Sequence, residues 1–201
     1  MQGEAENLGA QALAPGTEVG GYRIARAVHE GGMARLYAVA PLAEGPPAFP
    51  LLMKIPKLGF GSHPGCLVGF EVEQMILGRL AGPHVPRLVA SGQVDGAPWL
   101  VMERIGGGRL MEAVARSPLA PAEVVRLTGA VAAAVHDLHR QNVIHHDLKP
   151  ENVLFREDGT AVLVDFGLAR HAELPDLVEE EFHLPAGTGA GISPEQLAGM
   201  R

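Results

Sequence analysis

The sequence predicts an α+β protein in two unlike parts, a β-rich first lobe followed by a mainly helical one. Three observations predict it. Short apolar runs punctuated by glycine and proline fill the chain as far as Glu103. Gly106, Gly107 and Gly108 then interrupt the pattern. A long stretch of helical period follows at 121–139, where Val124, Leu127, Val131, Val135 and Leu138 recur by threes and fours. The expected division is a mobile tail over 1–18, a first lobe over 19–103 and a second, incomplete lobe over 104–201.

The tail lacks apolar periodicity and contains Pro15-Gly16. From Tyr22 to Val39, apolar stretches flank "HEGGMA", the pattern of a strand, a glycine turn and a second strand. The proline-rich "PLAEGPPAFP" at 41–50 reads as a loop or edge. "LLMKI" at 51–55 is a short buried strand that carries a lysine, and "FEVEQMILGRL" at 70–80 sets Phe70, Ile76, Leu77 and Leu80 near one helical face. "APWLVME" at 97–103 is again strand-like. Pro121 suits the first turn of the helix over 121–139. "VLF" at 153–155 and "AVLVD" at 161–165 flank Asp158-Gly159, a hairpin signal, and 168–192 reads as loop.

Composition narrows the function. The chain has 201 residues, 47% of them apolar and 19% charged, enough for a core and too apolar for wholesale disorder. A formal charge of −7 argues against a nucleic-acid backbone as the main partner. The single cysteine, Cys66, permits no internal disulfide and reads as a small buried hydrophobe, which fits a reducing cytoplasm. The N-terminus has no basic n-region, and no run approaches the roughly 18 apolar residues of a membrane span. The expectation is a soluble, cytoplasmic chain.

The chemistry concentrates in "VIHHDLKPENVLF", 143–155. Asn152 lies at the entry of the predicted hairpin and Asp165 at its exit, so folding back brings two oxygen donors together. Such a pair suits Mg²⁺, a hard cation that prefers carboxylate and amide oxygens completed by phosphate. Asp147, just upstream, would face whatever reacts beside the metal. With an unperturbed pKa of about 3.9 a carboxylate is a weak base, so its work would be chiefly to orient a hydroxyl. Lys149 adds a positive charge suited to a phosphoryl group in transfer. The other readings are plainer: histidines 136, 139, 145 and 146 as core or capping groups, Gly31 and Gly32 as an ordinary hairpin turn, and the acidic run 179–181 as solvated surface.

These residues resemble the protein kinase family. "HHDLKPEN" is similar to its H-R-D-L-K-x-x-N loop, "DFG" at 165–167 matches its metal-binding motif, and "LLMK" resembles its V-A-I-K strand. "GTGAGISPEQ" at 187–196 resembles its substrate-side segment, and "EGGMARLY" with "SPEQ" is most similar to bacterial kinases of the eukaryotic type. The resemblance implies ATP- and Mg²⁺-dependent transfer to serine or threonine hydroxyls of protein substrates. Asp147 would be the catalytic base, Lys149 a γ-phosphate contact, and Asn152 and Asp165 the metal ligands. Lys54 would clamp the α/β-phosphates and pair with Glu73, for which Glu71 is a nearby competitor. Val28, Gly31, Gly32, Leu36 and Leu154 would surround the nucleotide, with Met102, Glu103 and Ile105 beside the adenine, between the two lobes.

The sequence also departs from the family pattern. His29 and Ala34 stand at two of the three G-x-G-x-x-G positions, where a Cβ hinders close approach of backbone N–H groups to phosphate. Leu52 stands where alanine usually faces adenine. His146 replaces an arginine that grips an activation-loop phosphate, and Thr188 is the only hydroxyl between Gly167 and Ser193. A kinase built this way is expected to escape switching by activation-loop phosphorylation, with 179–181 as fixed negative charge. The family continues beyond a point matching Arg201 with further helices, one of which pairs with the glutamate matching Glu195. The rival expectations are a nucleotide-binding pseudokinase scaffold and a small-molecule phosphotransferase.

Overall fold

A computed structural model of the chain describes residues 8–9, 11–43, 45–58, 65–94, 96–182, 187 and 191–198. The chain divides into two compact units, Met1–Phe70 with Arg87–Arg104, and Glu71–Pro86 with Ile105–Arg201. Strands dominate the first and helices the second, the α+β composition expected.

The first unit is an antiparallel sheet of six strands: β1 (Glu18–Val19), β2 (Tyr22–Glu30), β3 (Ala34–Pro41), β4 (Leu51–Pro56), β5 (Leu88–Val94) and β6 (Ala97–Glu103). Their spatial order is β1-β2-β3-β4-β6-β5. Strand alternation sends Leu51, Met53 and Ile55 of β4 into a core with Ile24, Tyr37, Val39, Trp99 and Val101. The Trp99 ring lies over Gly20 and Gly92, where any Cβ would strike it, and Gly20 has a positive φ of 56°. Tyr22 meets the same ring edge-on at 6.0 Å.

The expected tail behaves otherwise. Leu8 is buried in the sheet core with Leu13 packed against it, and Leu13 N–H donates to the Tyr37 hydroxyl at 3.1 Å. Gly16 N–H donates to Ile24 O at 2.8 Å. An isolated leucine every few residues carries no period, which is why sequence reading misses this docking. Residues 1–7 of that tail lie outside the described set.

Helix α1 (Gly65–Leu77) starts before the expected 70 and stops at Leu77, where Gly78 ends the run. Phe70, Ile76 and Leu77 are buried as expected, and so are Cys66, Val72 and Glu73. The second unit then builds α2 (Leu110–Val114), α3 (Pro121–Arg140), β7 (Val143–Ile144), a 3-10 turn (Pro150–Asn152), β8 (Val153–Phe155), β9 (Ala161–Leu163), β10 (Arg170–His171), α4 (Leu177–Phe182) and α5 (Pro194–Leu197). Pro121 opens α3 as predicted, but the buried stripe is Leu127, Ala134 and Leu138, while Val124 is exposed. β8 and β9 form the expected hairpin, its turn closed by Thr160 N–H donating to Asp158 Oδ1 at 2.9 Å. The segment 168–192, expected as loop, contains β10 and α4. The glycine run also has a reason: a Cβ on Gly107 would sit 2.5 Å from Phe155 O, because the two backbones exchange hydrogen bonds there. Among the described residues no helix is long and apolar enough to cross a membrane.

Candidate active site

In the second unit, β7 pairs antiparallel with β10, Arg170 opposite Ile144 and His171 opposite Val143. Directly after β7 the backbone turns through His146 at φ 59°, a left-handed conformation uncommon outside glycine. His145 is buried, and its ring makes two directional contacts. Nδ1 accepts the Asp147 N–H at 3.3 Å and Nε2 lies 3.1 Å from Val164 O, so the proton sits on Nε2. Desolvation holds its pKa below the usual histidine value, opposed by the carbonyl of Val164 and the carboxylates of Asp165 and Asp147. The ring also packs on Phe166, centroids 5.0 Å apart. His145 thus joins the 145–147 backbone to the 164–166 backbone, a core role.

Asp147 is buried at 9% exposure, and its Oδ2 receives Lys149 Nζ at 2.7 Å and Asn152 Nδ2 at 3.1 Å. The Asn152 amide nitrogen also donates to Asp147 O at 2.9 Å. The 3-10 turn makes this reach possible: Pro150 starts it, and Asn152 N–H closes back on Lys149 O at 2.9 Å. With its nitrogen committed to Asp147, the Asn152 amide turns its oxygen the other way. Its backbone O accepts Val164 N–H at 3.0 Å, which sets the loop against the residue preceding Asp165. Asp165 is exposed at φ 66°, a second non-glycine residue in left-handed backbone.

The remaining expected residues fall into both units. In the first, register puts Leu36, Lys54 and Leu100 in one cross-strand row and Ala38, Leu52 and Met102 in the next. Both rows lie on the sheet face opposite Met53, so Lys54 stands between Leu36 and the buried Leu100 on the face turned away from the cluster around Met53. Val28 is half-buried on β2, and Gly31 N–H closes the following turn on Ala34 O at 3.0 Å, with Gly32 exposed. Glu103 is buried and its N–H donates to Arg87 O at 2.9 Å. In the second unit Glu73 is buried at 1% while Glu71 is exposed, Ile105 is half-buried, and Leu154 pairs with Val162 on β9.

Two supports escaped sequence reasoning. Ser193 and Gln196 form a reciprocal cap on α5, and Gln196 Nε2 donates to His146 O at 2.9 Å. The "SPEQ" string signals the cap; its long-range bond has no sequence signature. Asp176 Oδ1 accepts the Glu179 N–H at 3.2 Å at the start of α4, and its other oxygen lies 3.7 Å from Arg170 Nε on β10. Val178 anchors α4 at 2% exposure, while Glu179, Glu180 and Glu181 face outward. Thr188 lies outside the described residues.

Comparison with known proteins follows the same lines. Residues 69–200 match the family described as protein kinase domain. The chain is 32% identical over 180 residues to a probable serine/threonine-protein kinase, pknA2, of Bifidobacterium longum, which covers 89% of this chain and 23% of that one. It is 33% identical over 149 residues to the serine/threonine-protein kinase PknL of Mycobacterium tuberculosis, covering 74% and 37%. With PknE of Mycobacterium bovis the identity is 35% over 156 residues, covering 77% and 27%. The chain therefore spans between 23% and 37% of the length of these relatives.

Proposed function

The chain belongs to the protein kinase domain family, and from that premise we propose that it transfers the γ-phosphoryl group of ATP to serine or threonine hydroxyls of proteins. The observation that carries the reading is the Asp147 carboxylate held between the Lys149 ammonium and the Asn152 amide, at 2.7 and 3.1 Å. Fixed from two sides, Asp147 orients the attacking hydroxyl and accepts its proton as the new P–O bond forms. Lys149 neutralises charge on the phosphoryl group in transfer. Lys54 binds the α/β-phosphates, and Leu36, Leu52 and Met102, on the same face of the first unit's sheet, supply apolar surface for the base.

The donor set fits Mg²⁺. Asn152 offers an amide oxygen and Asp165 a carboxylate, both hard donors. Bound with the nucleotide, the ion would neutralise the β- and γ-phosphate oxygens. Regulation follows from composition: no hydroxyl side chain occurs in 168–186, so that stretch cannot be phosphorylated on serine, threonine or tyrosine. Asp176, capping α4 and facing Arg170, supplies a carboxylate that is always present.

Transfer of radiolabel from ATP to a mixed serine/threonine substrate, and to the chain itself, tests the function. Asp147→Asn is expected to lower transfer by about a thousandfold or more while ATP affinity stays within about threefold. Equal transfer by wild type and variant, or none by wild type, refutes the reading.

A further inference from the structure

Arg35 is the second residue of β3, opposite Glu30 across the turn that carries Gly31 and Gly32. Its side chain is 14% exposed and works in two directions. On one side Nη1 donates to Gly9 O at 2.8 Å and to Gln11 O at 3.3 Å. On the other, Nε meets Glu30 Oε1 at 3.3 Å. The same carboxylate oxygen accepts Lys57 Nζ at 2.9 Å, and Lys57 N–H donates to Met33 O at 2.8 Å. The turn is therefore held at both shoulders, Glu30 before it and Met33 at its end. The hydrogen bond from Lys57 is the main reason the Glu30 carboxyl lies below the usual carboxylate range.

The N-terminal segment is fixed independently. Gly9 O accepts Leu58 N–H at 3.0 Å as well as the Arg35 guanidinium, which uses both of its acceptor sites. Gly9 adopts φ +91°, and a Cβ there would lie 2.8 Å from Pro56 O, so only glycine brings that carbonyl to Arg35. Leu8, in the sheet core, holds the segment in place beside it. A guanidinium this sheltered is costly without its acceptors, so loss of Gly9 O draws Arg35 toward solvent and removes one of the two cations on Glu30, leaving it to Lys57 alone.

We infer that Arg35 is a positioning residue that couples the N-terminal segment around Gly9 to the 31–33 turn and so tunes affinity for the nucleotide phosphates. The phosphate half of this rests on the proposed function; the mechanical half does not. Glycine is lacking at His29 and Ala34, the strand positions on either side of the turn, so external bonds at Glu30 and Met33 take a larger share in setting where its N–H groups point. The effect belongs to binding rather than to the chemical step, because Asp147 and Lys149 are carried by the other unit.

The test uses the full chain with Arg35→Met, Gly9→Ala and the conservative Arg35→Lys. Arg23→Met serves as control, since it removes only an exposed pair with Glu18. Hydrogen exchange of 29–34 and the KM and kcat for ATP are read together, after circular dichroism has confirmed folding. Arg35→Met and Gly9→Ala are each expected to speed exchange in 29–34 by about tenfold and raise the ATP KM by about fivefold, with kcat within about twofold and Arg35→Lys between them and wild type. Exchange that rises at 8–13 but not at 29–34 overturns the coupling. Faster exchange of the turn with an unchanged KM overturns its effect on the nucleotide. A wild type without ATP affinity overturns the functional reading and the nucleotide half together, while the exchange data still decide the mechanical half.

Discussion

The two hydrogen bonds of His145, one received from the Asp147 amide and one given to Val164 O, both require an uncharged ring. Protonation would place a second N–H against the amide of Asp147, and burial already depresses the pKa below 6.5. The unfolded chain therefore binds the proton first. Stability is fully present above about pH 6.5 and falls as the pH drops through that value toward the depressed folded pKa, by up to about 1.4 kcal/mol per pH unit. Urea melts between pH 5 and 7.5 should show this slope, and His145→Asn should flatten it; an unchanged slope would assign it to another histidine. The grouping of Asp147, Lys149 and Asn152 was readable from their closeness in the chain, and the 3-10 turn at Pro150 draws them together. That His145 is a core group was expected, but its long-range bond was not readable, since the Val164 carbonyl lies 19 residues on.

Elements were legible in proportion to their length and pattern. Helix α3 announces itself by Pro121 and its period, and the β8–β9 hairpin by Asp158-Gly159. Strand β5 does not, because Ser91, Gly92 and Gln93 occupy the middle of an edge strand whose Gly92 serves the Trp99 ring. Helices α2 and α4 are too short for a period to emerge, and β7 and β10 are two residues each. The glycine run marks a break correctly, yet its individual members differ. Gly107→Ala should cost about 2–3 kcal/mol, since a Cβ 2.5 Å from Phe155 O must part the backbone pair joining this run to β8, whereas Gly106 has nothing within 4 Å and its alanine variant should stay within about 0.5 kcal/mol. Chemical denaturation of the two variants side by side checks the contrast.

At the scale of the whole chain, composition separated classes better than it assigned activity. A charge of −7 and a single cysteine leave many enzymes in play, and the ordered motifs made the choice among them. The N-terminal segment is the largest feature misread: its lack of apolar period and its Pro15-Gly16 suggested a tail, while Leu8 and Leu13 pack against the sheet. One consequence is practical, since the sole tryptophan, Trp99, sits in the first unit and reports its unfolding alone. MgATP at about one hundred times its Kd should stabilise the protein by about 2.7 kcal/mol, seen as a raised midpoint in Trp99 emission. Lys54→Met should abolish the rise; a shift that survives would place the nucleotide elsewhere.

The indole resting on Gly20 and Gly92 also constrains the order in which this sequence can change over time. Neither glycine can take a side chain while the ring is in place; once Trp99 has shrunk position 92 opens, whereas Gly20 is still held to glycine by its positive φ. Lineages that lose the tryptophan first are then free to drift at 92, and the opposite route is closed. Positions 92 and 99 should be read as one inherited unit, not as two independent characters.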